Sequence, residues 1–238
     1  MHVLAIASRK GGVGKTTLAG HLAVQAERCG AGPVAVADVD PQGSLADWWN
    51  ARAAPTPVFL RSTARSLTED VERLRDLGIA LLVIDTPPAL GAIVAEVVRL
   101  SDLVLIPTRP SPHDLRSIGA TVELVEDLGK PLVFVVNGAT ARARITAETI
   151  TVLSQHGTLA PAIVHQRVDF AASMVDGRTV MELPGVSRSA EEIAGLWDYI
   201  GGRLGGRPRR PLPVAATVAV GDEARTPVTA EMQAREPS

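Results

Sequence analysis

The chain has 238 residues, 46% hydrophobic and 21% charged, with a formal net charge of −2 and aromatics at only 3%. That balance suits one sizeable α/β domain or two small ones around an ordinary core, and so few aromatics exclude a base-stacking platform for single-stranded nucleic acid. A single cysteine, Cys29, excludes an intrachain disulfide or iron–sulfur ligand set, and no apolar run reaches the length of a membrane span.

The N-terminal stretch "MHVLAIASRKGG" has no basic leader and no cleavage site, so the expectation is a soluble, cytoplasmic protein. Val3–Ala7 reads as a strand that runs into a glycine-rich loop, "SRKGGVGKTT", from Ser8 to Thr17. Behind the loop, Leu18, Leu22, Ala23 and Ala26 form a helical stripe that ends at Gly30. Continuous apolar runs follow at Pro33–Asp40, Ala80–Pro88, Asp102–Pro110 and Pro131–Gly138, with a weaker one at Pro161–Gln166. Such runs are expected of parallel strands covered on both faces. Helical periodicity marks Ser44–Arg52, Leu67–Leu77, Ile93–Leu100, Leu115–Leu128, Ile145–His156 and Ala190–Leu204. Strand–helix alternation predicts a doubly wound, mainly parallel α/β sheet flanked by helices, with ligands at the carboxyl ends of the strands. This domain is expected to fill residues 1–204, and the Pro/Ala-rich segment 205–238 is expected to be a flexible tail.

The loop carries the first chemistry. Gly11, Gly12, Val13 and Gly14 can aim backbone N–H groups at an anion, and the helix N-terminus behind them adds its dipole. Lys15 would neutralise the β- and γ-phosphates, the Thr16 hydroxyl would ligate Mg²⁺, and Thr17 would meet the α-phosphate. The chain has only three lysines, and two of them, Lys10 and Lys15, fall within this loop. The usual spacing, G-x-x-x-x-G-K-[ST], would place glycine where Arg9 stands. Further along, "ADVDPQGSLADWW" sets Asp38 and Asp40 at the end of a predicted strand, as ligands or as helix-cap and turn residues. "LLVIDTPP" ends an apolar run on Asp85 in the manner of a Walker B strand. "VVNG" leaves Asn137 at the end of a later strand, where it is a base contact or a turn residue.

The order K-G-G-x-G-K-[ST]-T resembles the deviant Walker A loop of ParA/MinD-type P-loop ATPases. "DVDPQGS", "IPTRPSPHDLRS" and "DFAASMVDGRTVMEL" are similar to later segments of that family, so the resemblance covers residues 1 to about 200. With the loop only nine residues in and Trp48 after "DPQGSL", the chain looks most like short, ParF-like ParA ATPases without an N-terminal helix-turn-helix. The resemblance implies a weak Mg²⁺-dependent ATPase that hydrolyses ATP to ADP and phosphate. It implies that Lys10 reaches across a nucleotide-sandwich homodimer to the partner's phosphates, a cation supplied in trans. It further implies that Asp38 lies near the metal and Lys15, that Asp40 is the switch aspartate for hydrolysis, that Asp85 holds Mg²⁺ through water, and that Asn137 contacts adenine.

For ParA-type proteins the implied partners are nonspecific DNA and a ParB-like or cargo adaptor that stimulates hydrolysis, which makes the expected localisation the nucleoid. DNA contact needs only a basic surface, and the candidates are Arg142, Arg144, Arg167, Arg178 and Arg188, with Arg203, Arg207, Arg209 and Arg210 beyond them. Between 138 and 210 there are nine arginines against seven acidic residues, a mild excess. Two other readings stay open: a MinD-like membrane-associated positioning ATPase, and a metabolic P-loop enzyme of the same superfamily. The first wants a C-terminal amphipathic helix, which "RPLPVAATVAVGDEARTPV" does not supply, so no membrane partner is expected. The second leaves "DVDPQGSLADWW" without a purpose. Plasmid, chromosome and other cargoes are not separable from these residues.

Overall fold

The structure is a computed structural model that describes residues 1–185 and 187–205. The expected tail, apart from Gly205, lies outside the described residues, as do Arg207, Arg209 and Arg210.

Seven parallel strands form one sheet: β1 (His2–Ile6), β2 (Val34–Asp38), β3 (Val58–Leu60), β4 (Leu81–Asp85), β5 (Leu103–Thr108), β6 (Leu132–Ala139) and β7 (Leu159–His165). Their spatial order is β3-β2-β4-β1-β5-β6-β7, so β1 stands at the centre and delivers the glycine loop to the middle of the carboxyl edge. Successive side chains on a strand point to opposite faces, and continuous apolar runs therefore feed two cores. On β1, Leu4 and Ile6 face one core while Val3, Ala5 and Ala7 face the other. The first core is closed by α1 (Lys15–Arg28), α2 (Ser44–Ala51), α8 (Val168–Met174) and α9 (Arg188–Arg203). The second is closed by α3 (Leu67–Asp76), α4 (Ala92–Leu100), α6 (Gly119–Asp127) and α7 (Arg144–His156).

The expected doubly wound parallel sheet is present, with three departures in detail. The helix expected over Leu115–Leu128 is two pieces, α5 (Pro112–Ser117) and α6, which meet at Ile118. β3 is only three residues long, too short for any periodicity to register. Helix α8 has no apolar stripe in sequence because Val168 and the residue after its end, Val175, are about 80% exposed. A single 3₁₀ turn (Val180–Glu182) follows and packs beside α1.

Candidate functional site

The loop after β1 is shaped by its glycines. Gly12 and Gly14 have φ of 73° and 92°, the left-handed region that L side chains rarely adopt. Gly14 also has no room for a side chain, since a Cβ would lie 2.3 Å from the Asn137 amide nitrogen. That nitrogen donates to the Val13 carbonyl at 2.6 Å, so Asn137 braces the loop from behind. Gly14 is the N-cap of α1 and supplies no side-chain cap, which leaves the first N–H groups of the helix free for an anion.

The two lysines face opposite ways. Lys15 is 7% exposed, and its Nζ turns back to donate to the Lys10 carbonyl at 3.4 Å. Burial lowers the Lys15 ammonium below its ordinary value, against the opposing pull of Asp85 and Asp40. Lys10 is exposed at the loop's front edge, and among the described residues no carboxylate lies within ion-pair distance of it.

Three residues occupy one rung of the sheet: Ile6 on β1, Asp85 on β4 and Asp38 on β2. The two carboxylates differ in their bonding. Asp85 is 1% exposed; its Oδ2 accepts from the Thr16 hydroxyl, and its Oδ1 is buried without a hydrogen-bond partner among the described residues. Burial pushes the Asp85 carboxyl up to about 7, with Thr16 and Lys15 holding it down and Asp38 and Asp40 adding to the rise. Asp38, by contrast, accepts three backbone N–H groups, from Asp40 at 3.0 Å, Leu45 at 2.9 Å and Ala46 at 3.0 Å. Helix α2 starts at Gly43 with no side-chain cap of its own, and Asp38 serves in that place. Of the two expectations for Asp38, metal-side carboxylate or helix cap, the backbone contacts display the cap, with Oδ1 accepting one N–H and Oδ2 two. Asp40 projects into the cleft, with its Oδ1 accepting from the Gln42 N–H.

A cleft of about 670 Å³ opens above the loop, floored by Lys15 and Thr16 and walled by Asp40, Trp48, Met174 and Val175. The Thr86 hydroxyl, donating to the Ile6 carbonyl at 2.9 Å, fixes the turn that follows Asp85.

The five candidate arginines do not gather. Arg142 and Arg144 lead into α7 on one face of the sheet, while Arg188 opens α9 on the other. Arg144 pairs with Glu148, Arg167 with Glu192 and Arg178 with Asp176. Arg142 and Arg188 are exposed without such a pair among the described residues.

Sequence reasoning passed over Arg52 and His21, and met Glu182 only as the glutamate of "DFAASMVDGRTVMEL". Arg52, at the end of α2, makes a double bond pair to Glu182 at 2.7 and 2.9 Å. Burial alone would raise the Glu182 carboxyl, but Arg52 and Thr179 hold it below its ordinary range. His21 is fully buried in α1, where burial lowers its pKa to about 4 and leaves it neutral. No local pattern marks Arg52 or His21, since the bonds from Arg52 to Glu182 and from Val180 to His21 span 130 and 159 positions.

An uncapped helix end, a buried ammonium and a hydroxyl–carboxylate pair converge where a polyphosphate and its cation would sit, and they make this a P-loop nucleotide-binding domain. The family model described as the CobQ/CobB/MinD/ParA nucleotide binding domain matches residues 4–180, and the chain belongs to that family of ATPases. It is 29% identical over 198 residues to the maintenance of carboxysome distribution protein A of Halothiobacillus neapolitanus, covering 79% of this chain and 91% of that protein. It is 30% identical over 194 residues to the protein ParA of Rhizobium radiobacter, covering 80% of each. In fold it is similar to apo McdA of Cyanothece, with a TM-score of 0.71 at 20% identity over 84% of this chain and all of that one. The Mg-ADP complex of the septum site-determining protein MinD from Pyrococcus horikoshii gives a TM-score of 0.67 at 17% identity, over 84% and 95%. Among the described residues no helix is long and apolar enough to cross a membrane.

Proposed function

We propose that the chain is a ParA-type positioning ATPase. It binds ATP, closes into a homodimer, engages nonspecific DNA and releases it when a ParB-like or cargo adaptor speeds hydrolysis. The observation that carries this reading is the division of labour between the two lysines: Lys15 buried under the phosphate site, Lys10 exposed at its edge with no ion-pair partner among the described residues. An exposed cation beside an anion site gains most when a second molecule brings its own phosphates to it.

In this reading the backbone of Gly11–Thr17 cradles the phosphates, Lys15 neutralises them, and Asp40 orients the attacking water. Mg²⁺ fits the site because the buried Asp85 Oδ1 has no hydrogen-bond partner among the described residues and the Thr16 hydroxyl bonds the other oxygen of the same carboxylate. Thr16 would ligate it directly and Asp85 through water, and when bound it supplies positive charge against the phosphate oxygens. Asp38 serves behind them by holding the turn that carries Asp40. Asn137 lies next to the loop, where its carbonyl side remains available to an adenine while its nitrogen holds Val13.

The named relatives favour a cargo that is carried rather than a metabolite that is converted, whether a protein compartment or a DNA molecule. Arg142 and Arg188, the two candidates that form no ion pair among the described residues, are the arginines expected to count most on DNA, and the site of action is the nucleoid in the cytoplasm. The test is binding of the purified chain to random-sequence DNA with ATP, ADP or no nucleotide, across a salt series. Binding that needs ATP and weakens steeply with salt supports the proposal. Absence of DNA binding in every state, with ATP-driven dimerisation intact, would refute its DNA arm and favour a membrane or protein-only switch.

A further inference from the structure

Helix α2 follows directly on the turn that holds Asp40, whose carbonyl accepts from the Gly43 N–H, and it is short, eight residues or about 12 Å. Its N-terminal end hangs on Asp38 through Leu45 and Ala46. Its C-terminal end is gripped by the strap Gly177–Glu182. The Arg52 guanidinium, 4% exposed, donates to the Gly177 carbonyl at 2.7 Å, to both oxygens of Glu182 and to the Thr56 carbonyl at 2.6 Å. Trp48, one turn earlier, donates its indole N–H to the Arg178 carbonyl at 3.1 Å and lies 5.3 Å under the Arg52 guanidinium.

The strap is built to come this close. Gly177 has φ +74°, and a Cβ there would fall 2.3 Å from the Arg52 backbone, a neighbour that cannot move aside. Glu182 is held in turn by the N–H and hydroxyl of Thr179, which close a capping box on the 3₁₀ turn. The Val180 N–H next to it donates to Nε2 of His21, whose Nδ1 bonds the Thr17 carbonyl at 2.7 Å. The bonds therefore form a chain from the first turn of α1 through His21, the strap, Arg52, α2 and Asp38 to Asp40, and both of its ends line the cleft.

We propose that Arg52 and Glu182 are positioning residues for ATP hydrolysis, clamping α2 to the strap so that Asp40 stays in register with phosphates held by the first turn of α1. The proposal rests on the ATPase reading and deepens it. Arg52 and Glu182 do not line the cleft, so the effect of the clamp would pass through Asp40. Weakening it should therefore loosen the geometry of the chemical step and leave the phosphate cradle intact, because among the described residues Arg52 forms no hydrogen bond with Lys15, Thr16 or the loop glycines.

The test separates binding from turnover in the full chain, with ATP affinity measured by titration of a fluorescent ATP analogue and kcat by phosphate release. Arg52→Lys keeps the charge but loses the forked geometry, and Glu182→Gln keeps the shape but loses the charge. The expected result is a fall in kcat of about 10-fold or more for Arg52→Lys, and less for Glu182→Gln, with ATP affinity held within about 3-fold. In an Asp40→Ala background, adding Arg52→Lys should cost nothing further, since the residue through which the clamp acts is gone. A kcat kept within about 2-fold in a folded variant, or kcat and affinity falling together, would overturn the clamp. A wild-type chain that binds no ATP would instead remove the ATPase reading itself, and the clamp with it.

Discussion

The phosphate loop has an inner half and an outer half, and they differ in what they are bonded to. The inner half is tied to its own chain: Val13 to Asn137, Lys15 to the loop carbonyl at position 10, Thr16 to Asp85. In the outer half Lys10, Gly11 and Gly12 are exposed, and the Lys10 ammonium has no partner among the described residues. The inner half is thus preorganised for an anion bound by this chain alone, at small cost in side-chain ordering. In the proposed dimer the outer half would be completed by the partner's nucleotide. Two lysines five positions apart are therefore not duplicates, and substitutions in the two halves should fail in different ways.

The largest effect is expected in the inner half. Lys15→Ala removes the one cation buried against the phosphates, and ATP affinity should fall by about 100-fold or more, on the order of 3 kcal/mol. Titration with a fluorescent ATP analogue measures it, and near-normal affinity would mean that the inner half is not the nucleotide cradle.

Acid should reach the same half through its backing. Folded His21 titrates at about 4, while an unfolded histidine takes its proton near 6.5. Between those values the unfolded state binds a proton that the folded state refuses. Stability should therefore fall as pH drops from about 6.5 to about 4, by on the order of 3 kcal/mol, and change no further from this group below that. Urea unfolding across that range measures it, and in His21→Gln this slope should flatten.

Asn137→Ala should give a smaller loss of about 1–3 kcal/mol, because it strands the Val13 carbonyl in a buried setting. Thermal unfolding would register it, and a stability equal to that of the parent would show that the brace is not what holds the inner half.

Much of the inner half was legible in the sequence because its signals are local. Glycine spacing, a lysine and a threonine opening a helix, and an apolar run ending on Asp85 all lie within ten-residue windows. The D-x-D pair was legible as a pair, but which carboxylate anchors and which stays open depends on α2 folding back over Asp38. Helix α8 and the strap were not legible. Val168 and Val175 face solvent, so α8 has no stripe, and Arg52 meets Glu182 only after 130 intervening residues have folded. The arginine surface could not be weighed in the sequence for a related reason. Arg144, Arg167 and Arg178 find acidic neighbours in the fold, and composition cannot tell a paired arginine from a free one.

The outer half is tested most directly by the mass of the protein in solution. Wild type and Lys10→Ala would be compared by light scattering on a sizing column with ATP, with ADP and without nucleotide. The account predicts that wild type passes from monomer to dimer with ATP alone, while Lys10→Ala binds ATP and stays a monomer. A wild type that remains monomeric in saturating ATP, or a Lys10→Ala variant that dimerises as well as its parent, would contradict it.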